Sequence, residues 1–398
     1  MSRIVLLVFV FLTSSCTSSP FTPMTNITTN IKVAAFNVSM DATNYVGRDA
    51  QLANGQVLIE RLKNDEQQIK NIAEIIQRTR PDIILLNEFD YIADPSEGVE
   101  LFINNYLKVA QNASLESIDY PYYYYAPVNT GKPSPYDLTG DGEASGTQGD
   151  AWGFGFFEGH YGMMLLSRYP IDTAKVRTFQ NFKWKDMPNA MRPVVPSTNA
   201  YFYNDVIWSQ FPLSSKSHWD IPINVDGKTL HILASHPTPP VFDGPEDRNG
   251  TRNHDEVRFW LDYITPNAGT YIYDDEGIKG GLAAQSRFVI AGDLNASSTE
   301  GSSLKQAITA LLTSPMVNES NIPMSLGGDL HDEENGLSKY HTAYWGMRAD
   351  YAVPSQYGME VIDSGVFWPT TDQDTYRLIR DRPASSDHRL VWTVLNLK

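Results

Sequence analysis

The stretch FVIAGDLNAS, residues 288–297, is an apolar run that ends abruptly in Gly292, Asp293, Leu294 and Asn295. Phe288, Val289 and Ile290 suit a buried strand, where aromatic and β-branched side chains pack well. A carboxylate and an amide two residues apart do not. Side chains alternate along an extended chain, so Asp293 and Asn295 are expected on one face. A buried strand that delivers two polar groups at its end belongs to a sheet whose edge builds a site.

Outward from this strand the same design repeats. IKVAAFNVSM (31–40) reads as a strand by its alternation, and DIILLNEFD (82–90) as a buried strand by its continuous apolar run. Between them, DEQQIKNIAEIIQRTR (65–80) places Ile69, Ile72, Ala73 and Ile76 on one helical face, with Asp65 as N-cap and Pro81 as the stop. This β-α-β opening predicts an α/β protein. Further strands are expected in 161–170, 228–237, 286–295, 348–355 and 388–397, and helices in 253–264 and 302–313. The spacing leaves long loop insertions at roughly 91–158 and 173–217 in one domain spanning 31–398.

The chain has 398 residues and a net charge of −16, with 41% hydrophobic and 20% charged residues, which is ordinary globular composition. Its aromatic content of 12%, with 21 Tyr, is high and suits a secreted protein with a groove. So acidic a surface argues against a broad electrostatic grip on nucleic acid, but a bound divalent cation reverses the field locally. The start, MSRIVLLVFVFLTSSCTSSP, has one Arg, an apolar run Ile4 to Leu12 too short to span a bilayer, and small residues Ser14 and Ser15. Cys16, the one cysteine, follows directly. LTSSC resembles a bacterial lipoprotein signal, with Thr13 where Leu is usual. The expectation is a signal peptide over 1–15 and a lipid on Cys16, or else an ordinary cleaved secretion signal. Residues 16–30 then form a Ser/Thr/Pro-rich tether. The expected location is outside the cytoplasm, on a bacterial membrane through the lipid alone or free as a secreted or periplasmic protein. Either way the mature chain has no disulfide.

Almost every expected strand stops in a polar residue suited to metal or phosphate chemistry: Asn37, Glu88, His236, Asp293 with Asn295, and Asp350; Asp387 and His388 precede the last strand. Together they offer hard oxygen ligands for a Mg²⁺-like ion, imidazoles for proton transfer and amides for a phosphate oxygen. In this order AFNV, NEFD, SHPTPP, GDLNA, ADYAVPS and SSDHRLV resemble the motif series of the endonuclease/exonuclease/phosphatase superfamily, which includes pancreatic-type deoxyribonucleases, apurinic endonucleases, sphingomyelinases and inositol polyphosphate 5-phosphatases. The resemblance covers residues 31–398. It implies a four-layer α/β sandwich, two packed mixed β-sheets flanked by helices, and a divalent-metal-dependent phosphoric ester hydrolase. It also implies residue roles. Glu88 becomes the main metal ligand, with Asn37 and Asp387 nearby, for Mg²⁺ or Mn²⁺. Asp293 and Asn295 lie against the scissile phosphate, His388 resembles the base with Asp350 behind it, and His236 resembles the position that protonates the leaving oxygen or steadies the phosphate. The base role stays open between His388 and Asp293.

Four weaker signals remain. His218, in SSKSHWDIP, and the basic cluster Arg248, Arg252, His254 and Arg258 are candidates for a substrate phosphate or for solvated structure; His218, Arg252 and His254 are the residues carried forward. Tyr161 is either a groove-stacking ring or a core residue. Asp137, Thr139 and Asp141, in DLTGDGEASG, match the front half of a calcium loop, but Gln148 stands where a bidentate Glu is needed, so a plain acidic turn competes with a Ca²⁺ site. The functional expectation is a monomeric, secreted or surface-anchored phosphodiesterase, nuclease-like first. A phosphomonoesterase or a lipid- or inositol-phosphate hydrolase is the alternative, and an inactive surface binding lipoprotein is the alternative of another class.

Overall fold

The computed structural model describes Met1, residues 30–47 and residues 49–398. But for Met1 and Asn30, the expected signal peptide and tether lie outside the described residues. No helix among those described is long and apolar enough to cross a membrane.

The strands in chain order are β1 (Asn30–Met40), β2 (Ile83–Phe89), β3 (Tyr122–Tyr124), β4 (Met163–Ser167), β5 (Arg177–Thr178), β6 (Val194–Val195) and β7 (Ala200–Tyr201). There follow β8 (His218–Val225), β9 (Lys228–Ser235), β10 (Arg287–Asp293), β11 (Asp350–Pro354), β12 (Met359–Val366) and β13 (Val391–Leu397). One sheet has the order β12-β13-β1-β2-β4-β3, the other β11-β10-β9-β8-β5, and β6 and β7 form a small ribbon. Both large sheets are mixed: β1 runs parallel to β2 and antiparallel to β13, while β10 runs parallel to β9 and antiparallel to β11. They pack face to face through β1 against β10 and β11, β2 against β10, and β13 against β11.

The alternation of β10 shows how the layers form. Val289 and Ala291 enter the core shared by the two sheets, while Phe288 and Ile290 enter a second core on the outer side. That second core is closed by Val257, Trp260 and Ile264 of the helix Arg248–Ile264 and by Ile308 of the helix Lys305–Leu312. On the other flank the helix Gln67–Thr79 buries Ile69, Ile72, Ala73 and Ile76, as its spacing predicts. Its N-cap is Glu66, however, not Asp65, which sits in the left-handed region at φ +58° and pairs with Lys70 instead. The result is the four-layer sandwich with helices outside. The 173–217 insertion is better packed than its sequence suggests: Phe179, Phe182, Trp184 and Phe211 are buried in the outer core.

Two backbone devices shape one edge of the sandwich. Gly292 has φ +140°, and an added Cβ would overlap the carbonyl oxygen of Ser235. Only glycine lets β10 approach β9 this closely just before Asp293. Across the core, the β1–β2 ladder breaks register between Asn37 and Met40, with Ser39 at φ +46° and Glu88 at φ +57°. Left-handed non-glycine residues cost energy and mark places where a fold holds a side chain in a set direction.

Candidate active site

The strand polarity gathers the candidate residues. The C-terminal ends of β1, β2, β9 and β10 lie at the same edge as the start of β11, because Asp293 and Asp350 are register partners in the antiparallel β10–β11 pair. The segment leading into β13, with Asp387 and His388, arrives at this edge by the same antiparallel logic.

Asp293 is the hub. Its Oδ2 accepts a hydrogen bond from Asn37 Nδ2 at 3.1 Å and lies 3.4 Å from His236 Nε2 and 3.6 Å from His388 Nε2. Its Oδ1 accepts from the Asn295 backbone N–H at 2.9 Å. Behind it, His388 Nδ1 is 2.8 Å from Asp350 Oδ2, which also accepts from Thr342 Oγ1 at 2.8 Å. Burial works against the Asp293 charge, but His388 and His236 outweigh it and hold the carboxyl well below the usual range. Burial lifts Asp350 to about 6, with His388 opposing. Burial also disfavours an imidazolium at His388, yet Asp350 and Asp293 raise it to about 10. His236 is pushed down to about 4, first by burial and then by the Lys216 charge, so it is a neutral imidazole at pH 7. The ligand atoms of Asp293, Asp350 and His388 lie within 4.8 Å of one another. Because His388 spends Nδ1 on Asp350, the arrangement reads as a proton-handling triad first.

A second acidic group stands beside it. Glu88, Asp387 and Asp41 surround the Arg382 guanidinium at 3.9, 3.7 and 3.8 Å. Burial, reinforced by Asp41, raises Glu88 to about 7. Asp41 Oδ2 is buried without a hydrogen-bond partner. Glu88, Asp387 and Asp41, the last with an oxygen free of hydrogen bonds, supply hard oxygens of the kind a divalent cation takes, with the Arg382 charge among them. Asp41 was not singled out by the sequence reading, although it lies in the same stretch as Asn37. Its Oδ1 is 3.4 Å from His160 Nε2, and His160 stacks on Tyr161 with centroids 3.6 Å apart. Tyr161, half-buried, therefore braces this group through its contact with Thr43 at 3.3 Å.

Other residues were also missed. Asn87 Oδ1 accepts from the Asp293 N–H at 3.0 Å, tying the two sheets together under the site, and the polar residue beside Glu88 in NEFD was the available signal. Trp345 stands edge-on to His388 at 4.8 Å while 52% exposed. Arg382 and Lys216 had no sequence signal. Asn295 is not on the strand as expected: β10 ends at Asp293 and Asn295 turns left-handed at φ +50°. It reaches the site through the turn, not through alternation, and its Nδ2 donates to the Pro237 carbonyl at 3.2 Å.

Three expected phosphate contacts are corrected. His218 lies inside β8, with Nδ1 2.5 Å from Ser214 Oγ and Nε2 2.9 Å from the Glu256 carbonyl. Arg252 gives its guanidinium to the carbonyls of Leu213, Trp152 and Pro212, clamping the two insertions together. His254 pairs with Asp255 at 3.0 Å and with no residue of the site. The DLTGDGEASG loop is held by its own backbone. Asp137 Oδ1 accepts from Thr139 Oγ1 and the Gly140 N–H, its Oδ2 from the Gly142 N–H, and Asp141 from the Glu143 N–H. Backbone donors, together with Asp150, order this loop as an acidic turn.

His218 carries a stability prediction. Since a carbonyl can only accept, Nε2 bears the proton and Nδ1 accepts from Ser214; burial lowers the ring to about 4. An unfolded chain binds this proton below its ordinary value of about 6.5. The folded state is therefore at full advantage above that pH and loses it as pH falls toward 4, by about 3 kcal/mol. Urea midpoints at pH 7 and 4.5 should converge in His218→Gln relative to the parent protein. An identical pH dependence in the variant would disprove the assignment.

A family model described as the endonuclease/exonuclease/phosphatase family matches residues 34–388. No curated protein sequence matches the chain. Similar solved structures include an endonuclease/exonuclease/phosphatase from Beutenbergia cavernae, 17% identical, covering 92% of this chain and 72% of that one with a TM-score of 0.48. The human Nocturnin catalytic domain with bound sulfate is 15% identical over 93% and 95%, with a TM-score of 0.43. A Staphylococcus aureus beta toxin variant with bound magnesium ions is 13% identical over 93% and 100%, with a TM-score of 0.43. The family match spans every strand end that meets at this edge, and on it the chain belongs to the endonuclease/exonuclease/phosphatase family.

Proposed function

We propose that this chain is an exported phosphodiesterase, nuclease-like in its chemistry, dependent on a divalent cation and anchored by a lipid on Cys16. The family in general hydrolyses phosphoester bonds with a divalent metal. The observation that carries the reading is the placement of the ionised Asp293 between His236 and His388, at 3.4 and 3.6 Å, beside the Glu88, Asp41 and Asp387 carboxylates. Diester hydrolysis requires an activated water, a stabilised phosphoryl charge and help for the leaving oxygen. A water seated against Asp293 gives its proton to that carboxylate, while the His388 imidazolium, oriented by Asp350, stabilises the charge that develops beside it. Neutral His236 donates its Nε2–H to a phosphate or leaving oxygen. Glu88, Asp41 and Asp387 would hold the cation, Mg²⁺ or Mn²⁺, whose contribution is charge neutralisation at the phosphoryl group.

The test uses purified protein with plasmid DNA, RNA, a bis-aryl phosphate and an aryl monophosphate. Diester cleavage should vanish with chelator and return with Mg²⁺ or Mn²⁺. Glu88→Gln should need far more metal and lose about 100-fold in kcat/KM, the scale of a lost metal ligand interaction. Turnover indifferent to chelation, or a preference for the monophosphate, would defeat the reading.

A further inference from the structure

Lys216 is the cation that this site leaves unexplained. Register pairing of His218 with Ser235 sets Lys216 just past the end of β9, level with the segment that carries His236. It therefore belongs to the site edge, on the side of the second sheet, whereas Glu88, Asp41 and Asp387 come from the first. The loop that carries it is pinned on both sides. The Ser215 N–H donates to Glu256 Oε1 at 2.7 Å, the Lys216 carbonyl accepts from the Asn129 N–H at 2.9 Å, and Asn129 Nδ2 donates to the Ser214 carbonyl at 2.9 Å. Gly153 packs so closely on this loop that an added Cβ would overlap the Ser215 carbonyl oxygen.

The side chain is 5% exposed, yet among the described residues its ammonium makes no hydrogen bond and no ion pair. The other buried cations are committed: Arg252 and Arg389 to carbonyls, Arg348 to Glu319. Glu256, the nearest opposite charge in effect, makes no ion pair with it and gives Oε1 and Oε2 to the Ser215 and Thr238 N–H groups. The charge of Lys216 is felt as attraction by Glu256 first and then by Glu88 and Asp293, and as repulsion by His236. A buried cation without a partner is costly, and in a chain of net charge −16 it is also the feature that makes an anionic ligand welcome here.

We propose that Lys216 is a substrate-binding residue whose ammonium takes a non-bridging oxygen of the phosphoryl group, on the side away from the first-sheet carboxylates. The inference rests on the phosphoester reading of the site. A pinned loop holds the stem, so the contact is preorganised and its loss falls on phosphate affinity and on turnover alike.

The test compares full-length Lys216→Met, Lys216→Gln and Lys216→Arg with the parent, using inorganic phosphate as the probe in calorimetry and the cleaved phosphoester in kinetics. Both neutral variants should melt within a few degrees of the parent. They should bind phosphate about 10- to 100-fold more weakly and lose a comparable factor in kcat/KM, the scale of one charged hydrogen bond. Lys216→Arg should recover most of the phosphate affinity. Folded neutral variants with parental phosphate affinity and kcat/KM would overturn the inference, and so would neutral variants that do not fold, since the lysine would then be a structural counter-charge. A parent that cuts no phosphoester but binds phosphate through Lys216 would sink the hydrolase reading and uphold this contact.

Discussion

Asp293→Asn is expected to remove phosphodiester turnover by a factor of about 10³ or more in kcat/KM, about 4 kcal/mol of transition-state stabilisation. The substitution keeps the side chain's size and an acceptor for the Asn37 amide at 3.1 Å. What it removes is the charge that His388 and His236 hold in place against burial. An amide takes no proton from water and gives no counter-charge to the imidazole 3.6 Å away. His388→Ala should cost a similar factor, and the double variant little more than either alone, because groups that act as one unit are not additive. Steady-state kinetics on whichever phosphodiester the parent cuts, with thermal melts to confirm folding, decides the matter. A folded Asp293→Asn protein within tenfold of the parent would remove Asp293 from the chemistry.

Gly292→Ala is expected to prevent the protein from folding stably. The added methyl overlaps the Ser235 carbonyl oxygen on the neighbouring strand, with Leu85 Cδ2 at 3.5 Å on the core side. Ala291 pairs with Ala234 in the parallel ladder, so relief requires separating β10 from β9 at the point that positions both Asp293 and His236. The φ of +140° adds a backbone cost for any L side chain. Together these should exceed about 4 kcal/mol, the range of severe single substitutions. Gly227 is the control. It lies in the β8–β9 turn at φ +85° with nothing within 4 Å of an added Cβ, so Gly227→Ala should cost only about 1 kcal/mol. Urea unfolding of the two variants should separate them widely; similar midpoints would show that β9 and β10 part without penalty.

The sequence by itself determined the layers and most of the triad. Apolar runs such as 83–86 and 288–291 can be buried only as strands covered on both faces, and Ile69, Ile72 and Ile76 leave one face for the helix over them. Polar residues at the ends of such runs cannot stay in the core, so Asp293, Glu88, His236 and Asp350 announced an edge. Only the tertiary structure decided which basic residues serve that edge. His218 and Arg252 look as available in the sequence as Lys216, yet the first two find carbonyls and a hydroxyl inside the fold and Lys216 does not. The Ser214 hydroxyl is a neighbour in the sequence, but the carbonyl partners come from segments 38 to 100 residues away, and no local pattern encodes them. The same holds for Asp41, whose carboxylate becomes a site group through His160 and Arg382, residues far along the chain. The DLTGDGEASG loop differs: its acidic residues meet their own backbone N–H groups, so what orders it is local to the stretch.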